Sequence, residues 1–163
     1  AFDAYTSKRI ASSTGNGSPS NKIIPVQLEK AILANIDPFA AQLQLHFDDM
    51  FTNGREVMLT IKKWDSWEND METEFDGEEL TDIIDDWMVR NTVSGRYNMT
   101  DVTENVIRFE QVRIPIYDDK GRAIDARAFA KELRKFLKAE PYLIESKLMT
   151  RGLGEAIIVL GEK

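Results

Sequence analysis

The chain has no cysteine and a single histidine, His46. Disulfides, thiolate zinc sites and a cysteine nucleophile are therefore excluded. A paired-histidine metal motif is excluded with them. The lack of cysteine does not choose a compartment, because such a chain suits the cytoplasm and the periplasm equally. Long apolar runs are also missing. None approaches the ~20 residues that span a bilayer. The opening Ala-Phe-Asp-Ala-Tyr lacks the basic-then-apolar order of a signal peptide. No serine-elbow motif is present, and Gly152-x-Gly154 is too short for a nucleotide fingerprint.

What is present fits a globular domain. The 163 residues are 42% hydrophobic and 30% charged, enough for one domain with a real core. The net charge of −7 argues against nonspecific binding to nucleic acid or anionic lipid. That charge is unevenly placed. Asp65, Glu68, Asp70, Glu72, Glu74, Asp76, Glu78 and Glu79 fall within one stretch that has no Lys or Arg, and without them the balance would be +1.

Along the chain, Phe2 to Ser12 predicts a strand-turn-strand fragment with its turn at Thr6-Ser7-Lys8. Ser12 to Ser20 has the Gly/Ser/Pro composition of a flexible loop. A start in mid-strand, with no initiator Met, suggests a processed product. Residues 1–20 then read as a strand remnant and linker from a preceding domain, and 21–163 as a single α+β domain.

The first helix is expected from Pro25 to Phe51. Leu28, Ile32, Ile36, Phe39, Leu43, Phe47 and Met50 follow at steps of four, four, three, four, four and three. The phase holds through Pro38 and favours one long kinked helix over two. That helix is expected to lie across the core or cap its edge.

A strand from Glu56 to Trp64 follows, with Val57, Leu59 and Ile61 facing the core. A helix from about Glu78 to Asn91 buries Leu80, Ile83, Ile84, Trp87 and Met88. Next come a strand from Gly95 to Thr103, a turn at Glu104-Asn105 and a strand from Val106 to Tyr117. Pro115 puts that strand at an edge or ends its pairing. Asp125 caps a third helix that buries Phe129, Leu133, Phe136 and Leu137. Tyr142 to Thr150 and Glu155 to Leu160 are strands joined at Arg151-Gly152-Leu153-Gly154. The order suggests a doubled β-α-β unit, mostly antiparallel and ferredoxin-like, with its helices on one face.

Three segments carry a resemblance. They are His46-Phe47-Asp48-Asp49-Met50-Phe51-Thr52-Asn53-Gly54-Arg55-Glu56, Phe109-Glu110-Gln111-Val112-Arg113-Ile114-Pro115, and Glu145 through Gly154. From Asp3-Ala4-Tyr5-Thr6 to Gly154 the chain resembles a bacterial family of proteins of unknown function, common in the Bacteroidetes, that look secreted or envelope-located. It is similar, more weakly, to envelope lipoproteins related to the curli secretion pore, on the strength of the Asp-Ala-x-Thr turn. The resemblance implies a periplasmic, secreted or envelope-associated protein with a longer precursor and a role in protein assembly. It brings no catalytic residues. The cytoplasm is not excluded by the residues themselves.

Four candidate sites remain. His46, with Asp48 and Asp49, could act as a base or metal ligand, but a half-buried helix histidine explains it better. Glu72, Glu74, Asp76 and Gly77 imitate the start of an EF-hand loop, yet the closing ligand would be Ile83, so that motif is excluded. An irregular calcium site, or a sugar platform of Trp64 and Trp67 beside Asp70, Glu72, Glu74 and Asp76, is the alternative reading. A solvated loop is the plainer one. The fourth candidate is a pair of charged stripes: Glu78, Asp82 and Asp85 on the second helix, Arg127, Lys131, Arg134 and Lys138 on the third. They suit contact with a protein partner or self-association. The expectation is a non-enzymatic domain with no metal or cofactor, no nucleic-acid partner and no transmembrane segment.

Overall fold

The computed structural model describes residues 1–15 and 24–162. In chain order the elements are α1 (Ile24–Asn53), β1 (Arg55–Lys63), β2 (Glu74–Phe75), β3 (Glu78–Glu79), α2 (Leu80–Asn91), β4 (Asn98–Thr103), β5 (Val106–Ile114), α3 (Ala126–Lys138), β6 (Ser146–Arg151) and β7 (Glu155–Leu160). The fold is α+β. Its main sheet has five strands in the order β4-β5-β1-β7-β6, and β2 pairs with β3 separately.

Strand β1 is the middle of the sheet. It pairs antiparallel with β5 and parallel with β7, so the sheet is mixed. The β4-β5 and β6-β7 pairings are antiparallel. In a ferredoxin-like unit the strand after the second helix lies beside the first strand. Here β6 goes to the edge, and β7 takes the place beside β1. Composition explains the choice. Residues 156–160 of β7 (Ala-Ile-Ile-Val-Leu) are apolar on both faces and all buried, as suits an inner strand with a parallel neighbour. Strand β6 carries Lys147, Thr150 and Arg151, all exposed, and tolerates an edge.

Val57, Leu59 and Ile61 face the core, at 1% exposure or less. Strand β5 must match them, but its apolar residues slip phase: Ile107 and Phe109, then Val112 and Ile114. Simple alternation would drive Gln111 and Arg113 into the core. A β-bulge resolves the conflict. The register jumps between Val57↔Val112 and Leu59↔Phe109, and Gln111 takes a left-handed φ of 51°. Val112 and Ile114 then return to the core, and Arg113 turns away from it. Asn98 Nδ2 donates to Gln111 Oε1 at 2.7 Å.

Helices α2 and α3 close this face. Helix α2 buries Leu80, Ile83, Ile84, Trp87 and Met88, as its spacing predicts. Asp125 caps α3 by accepting a hydrogen bond from the Ala128 N–H at 2.7 Å. Phe129, Leu133 and Leu137 are buried, and Ala126 and Ala130 join them. Phe136 was expected inside but is half-buried. It sits at the rim, with ring centroids 6.5 Å from Trp87 and 5.2 Å from Tyr142. Trp87 also meets Phe129 at 5.2 Å, which joins the two helices in one cluster.

Two other expectations change. Glu78 is not in α2. Asp76 and Gly77, with φ of 57° and 88°, form a two-residue hairpin turn, and Glu78 pairs with Phe75 before the helix begins. Helix α1 does run through Pro38 as one element, but it does not cover the core: none of its residues is buried. The core is already closed by α2 and α3, so α1 meets the sheet only near its own end. Of the stretch expected to be a flexible loop, residues 16–20 lie outside the described residues. Ser12 is held, its N–H donating to Gln42 Oε1 and its carbonyl accepting from Gln42 Nε2, both at 3.1 Å.

Gly54 joins α1 to β1 at a φ of 83°. A Cβ there would lie 2.6 Å from the Ile114 carbonyl oxygen and 2.8 Å from Val93 Cγ2. Gly54→Ala is expected to lower the unfolding free energy by about 2–4 kcal/mol, from left-handed strain plus the clash. Gly77→Ala, at a similar φ with nothing near, should cost only about 1 kcal/mol. Urea denaturation of both variants checks this. Equal losses would show that Ile114 moves aside freely.

Candidate functional site

The C-terminal end of α1, the start of β1, the end of β5 and the arm of residues 1–15 meet around a cleft of about 300 Å³. The β5 bulge is what delivers Arg113 here. Its Nη1 donates to Asp49 Oδ2 at 2.8 Å and to the Gly54 carbonyl at 3.2 Å. Its Nη2 lies 3.9 Å from Glu56 Oε2. Asn53 Nδ2 donates to Asp49 Oδ1 at 2.7 Å, and Arg96 Nη1 donates to Asn53 Oδ1 at 2.8 Å. This chain of contacts clamps the last turn of α1 to the sheet. It also satisfies carbonyl and side-chain oxygens where the helix ends.

The arm docks on the same place. Phe2 and Arg9 form a single antiparallel bridge, so the expected strand-turn-strand fragment is one bridge wide. The Asp3 N–H donates to the Lys8 carbonyl at 2.9 Å, Lys8 pairs with Glu56, and Ala11 is 1% exposed. The Arg55 guanidinium stacks 4.0 Å from the centroid of the Tyr5 ring. Arg55 Nη1 donates to the Ile124 carbonyl at 2.8 Å. Gly154 makes room for the arm, since a Cβ there would sit 1.9 Å from the Tyr5 carbonyl oxygen.

His46 Nε2 is 3.8 Å from Asp3 Oδ2, too far for a hydrogen bond. His46 makes no hydrogen bond among the described residues, and no hydroxyl or other nucleophile is paired with it. The cleft is built mainly of charges that satisfy one another. Sequence reasoning did not bring these residues together. The polar density of the His46–Glu56 and Phe109–Pro115 segments was the available signal.

The site residues that the sequence predicts are dispersed over the molecule. Trp67 packs against the core and Gly161, while Trp64 is exposed. Asp70 holds its own turn, accepting from Thr73 Oγ1 at 2.9 Å and from the Glu72 N–H at 3.1 Å. Those bonds, Thr73 first, hold the Asp70 carboxyl below the usual range. Glu72, Glu74 and Asp76 are exposed. Among the described residues no three acidic or histidine side chains converge as a metal site. Asp85 accepts a 2.6 Å hydrogen bond from Tyr97 Oη, whose pKa is raised by burial and by that carboxylate. Lys138 pairs with Glu145 at 3.0 Å. No ion pair joins Glu78, Asp82 or Asp85 to Arg127, Lys131 or Arg134 among the described residues.

Helix α1 presents most of the exposed large apolar side chains of the N-terminal third. Ile24, Leu28, Ile32, Leu33, Ile36, Leu45, Phe47 and Phe51 are exposed, from 44% for Phe47 to 80% for Ile24. The arm lies along a polar seam of the same helix. Gln42 binds Ser12, and a Cβ on Gly15 would fall 2.2 Å from Asn35 Nδ2. Ser13 and Gly15 also line a groove with Leu28, Ile32, Ile36 and Phe39, so the arm runs along one edge of the apolar stripe. No helix of the described residues is long and apolar enough to cross a membrane.

The clamp has a pH signature. The Asn53 hydrogen bond first, and then Arg113, hold the Asp49 carboxyl below its usual range against the opposing effect of burial. A carboxyl lowered in the folded state stabilises above its unfolded value of about 4, and that stability is lost as pH falls through the folded value. Asp49→Asn should therefore melt below wild type at neutral pH, and the gap should close under strongly acidic conditions. Thermal melts across pH check this. Equal melting at neutral pH would show that the clamp does not favour the charged form.

No curated protein and no solved structure matches the chain. A family match does exist, and it covers the sheet with α2 and α3 while leaving α1 and the arm outside. Residues 55–161, more than half of the chain, match the family described as "Domain of unknown function (DUF6175)", and the chain belongs to it.

Proposed function

We propose that this chain is a non-enzymatic domain that works through protein contacts, with α1 as its contact surface. One observation carries the proposal: a helix of 30 residues with no buried residue exposes eight large apolar side chains, all but Leu45 on one half of its surface. The seven on one half present roughly 500–700 Å² of apolar surface. The largest patch on a typical monomer is about 300–600 Å², and larger ones mark interaction sites. The body holds the helix out by the Arg113–Asp49–Asn53–Arg96 clamp, a fixture suited to presenting a surface.

The periplasmic, secreted or envelope setting rests on the resemblance of the three segments named above. The doubled β-α-β reading rests on element order, β1-α2-β4 followed by β5-α3-β6. The charge of −7 disfavours a nucleic-acid partner. A calcium or glycan module at the acidic loop draws less support, because its acids do not converge and Trp67 faces inward.

Two variants separate the apolar helix from the charged stripes. Ile32→Glu with Ile36→Glu should keep a cooperative melt within about 2 °C of wild type, since α1 contributes nothing to the core. It should lose association seen by light scattering. Arg127→Glu, Lys131→Glu and Arg134→Glu together should stay folded and keep that association, which added salt should not dissolve. Loss of association only in the triple variant would transfer the role to the charged faces. Unfolding of the double variant would make α1 structural.

A further inference from the structure

Resting on that reading, we infer that the occupant of the α1 stripe is α1 of a second copy, packed antiparallel. The stripe is palindromic. Ile24, Leu28, Ile32, Ile36, Phe39, Leu43, Phe47 and Phe51 follow at steps of four, four, four, three, four, four and four. Its centre falls between Asp37 and Pro38, both exposed and both off the stripe. The inner six fall within about 100° of the helix surface, while Ile24 and Phe51 lie at opposite edges of the stripe. An antiparallel copy therefore sets Leu28 against Phe47, Ile32 against Leu43 and Ile36 against Phe39, with Ile24 and Phe51 at the rim. Each contact occurs twice, as a twofold interface requires. A stripe without this symmetry would lose apolar contacts when reversed.

Side-chain size favours the antiparallel direction over the parallel one. The first half of the stripe is all Ile and Leu, and the second half holds all three Phe. Antiparallel pairing opposes a branched aliphatic to a Phe at two of the three inner levels, which gives layers of even thickness. Parallel pairing would stack Phe on Phe at one end and aliphatic on aliphatic at the other, and the helices would splay. No charged residue lies among the eight, so nothing charged is buried.

The area is sufficient. Six of the eight are exposed and Phe39 and Leu43 are partly buried, so the stripes of two copies give roughly 1,200 Å², at the low end of stable protein interfaces. The arm borders this surface, Ser13 and Gly15 lining a groove with Leu28, Ile32, Ile36 and Phe39, and it leaves Leu28, Ile32 and Ile36 about half exposed. The sheet's helix-covered face is filled by α2 and α3, and the arm is bound to the polar seam of Asn35 and Gln42.

The absence of cysteine makes the test clean. Leu28→Cys and Phe47→Cys are prepared as separate full chains, mixed under reducing conditions and then oxidised. Residues 28 and 47 lie about 28 Å apart along one helix, far beyond disulfide reach. The expected result is a disulfide-linked dimer in the mixture and none in either variant alone, with wild type scattering light as a dimer. Dimers in each variant alone would overturn the antiparallel arrangement. Monomeric scattering with no cross-link would overturn the second copy. In that case an apolar dye decides the broader reading. Dye binding by wild type that is lost in the Ile32→Glu, Ile36→Glu variant leaves α1 as a surface for a different protein. No dye binding by wild type removes both proposals.

Discussion

Strand β1 buries Val57, Leu59 and Ile61 only because both neighbours offer apolar residues on the same side, and β5 does so only through its bulge at Gln111. Much of the molecule follows from that one irregularity. Without the extra residue, period-2 alternation would put Gln111 and Arg113 under α2 and α3, at a desolvation cost the core could not offset. With it, Val112 and Ile114 complete the core, and Arg113 reaches Asp49, the Gly54 carbonyl and Glu56. Packing on one face and the polar clamp on the other side of β5 are therefore consequences of the same backbone feature.

That link also explains why α1 stands where it does. A helix with so much apolar surface would ordinarily fold back on a sheet. Here the helix-covered face is occupied, and the Gly54 turn and the Arg113 clamp fix the exit direction of α1. The arm of residues 1–15 adds to this by filling the polar seam beside the stripe. Apolar surface is left over as a result. On energetic grounds, leftover surface of this kind is an interaction site or a liability.

The family match stops short of α1 and the arm, yet the side chains that bind them belong to the matched body: Arg55, Glu56, Arg96 and Arg113, with Gly154 leaving room for the arm. The body thus carries the docking points for a helix that lies outside the match.

Local patterns were legible in the sequence. The apolar spacing of α2 and α3, the Asp125 cap, the alternation of β1 and the Arg151–Gly154 hairpin all depend on neighbours a few residues away, and each forms as the residues dictate. The phase of α1 through Pro38 is of the same kind. Tertiary structure alone decided three matters. β7 rather than β6 lies beside β1, because two-sided burial wins the inner place once both strands compete for it. His46, Asp49 and Arg113 meet near one cleft, because a bulge in a distant strand turns one side chain around. The apolar stripe of α1 faces outward, because burial depends on which other elements have already closed the core, and no residue within the helix encodes that.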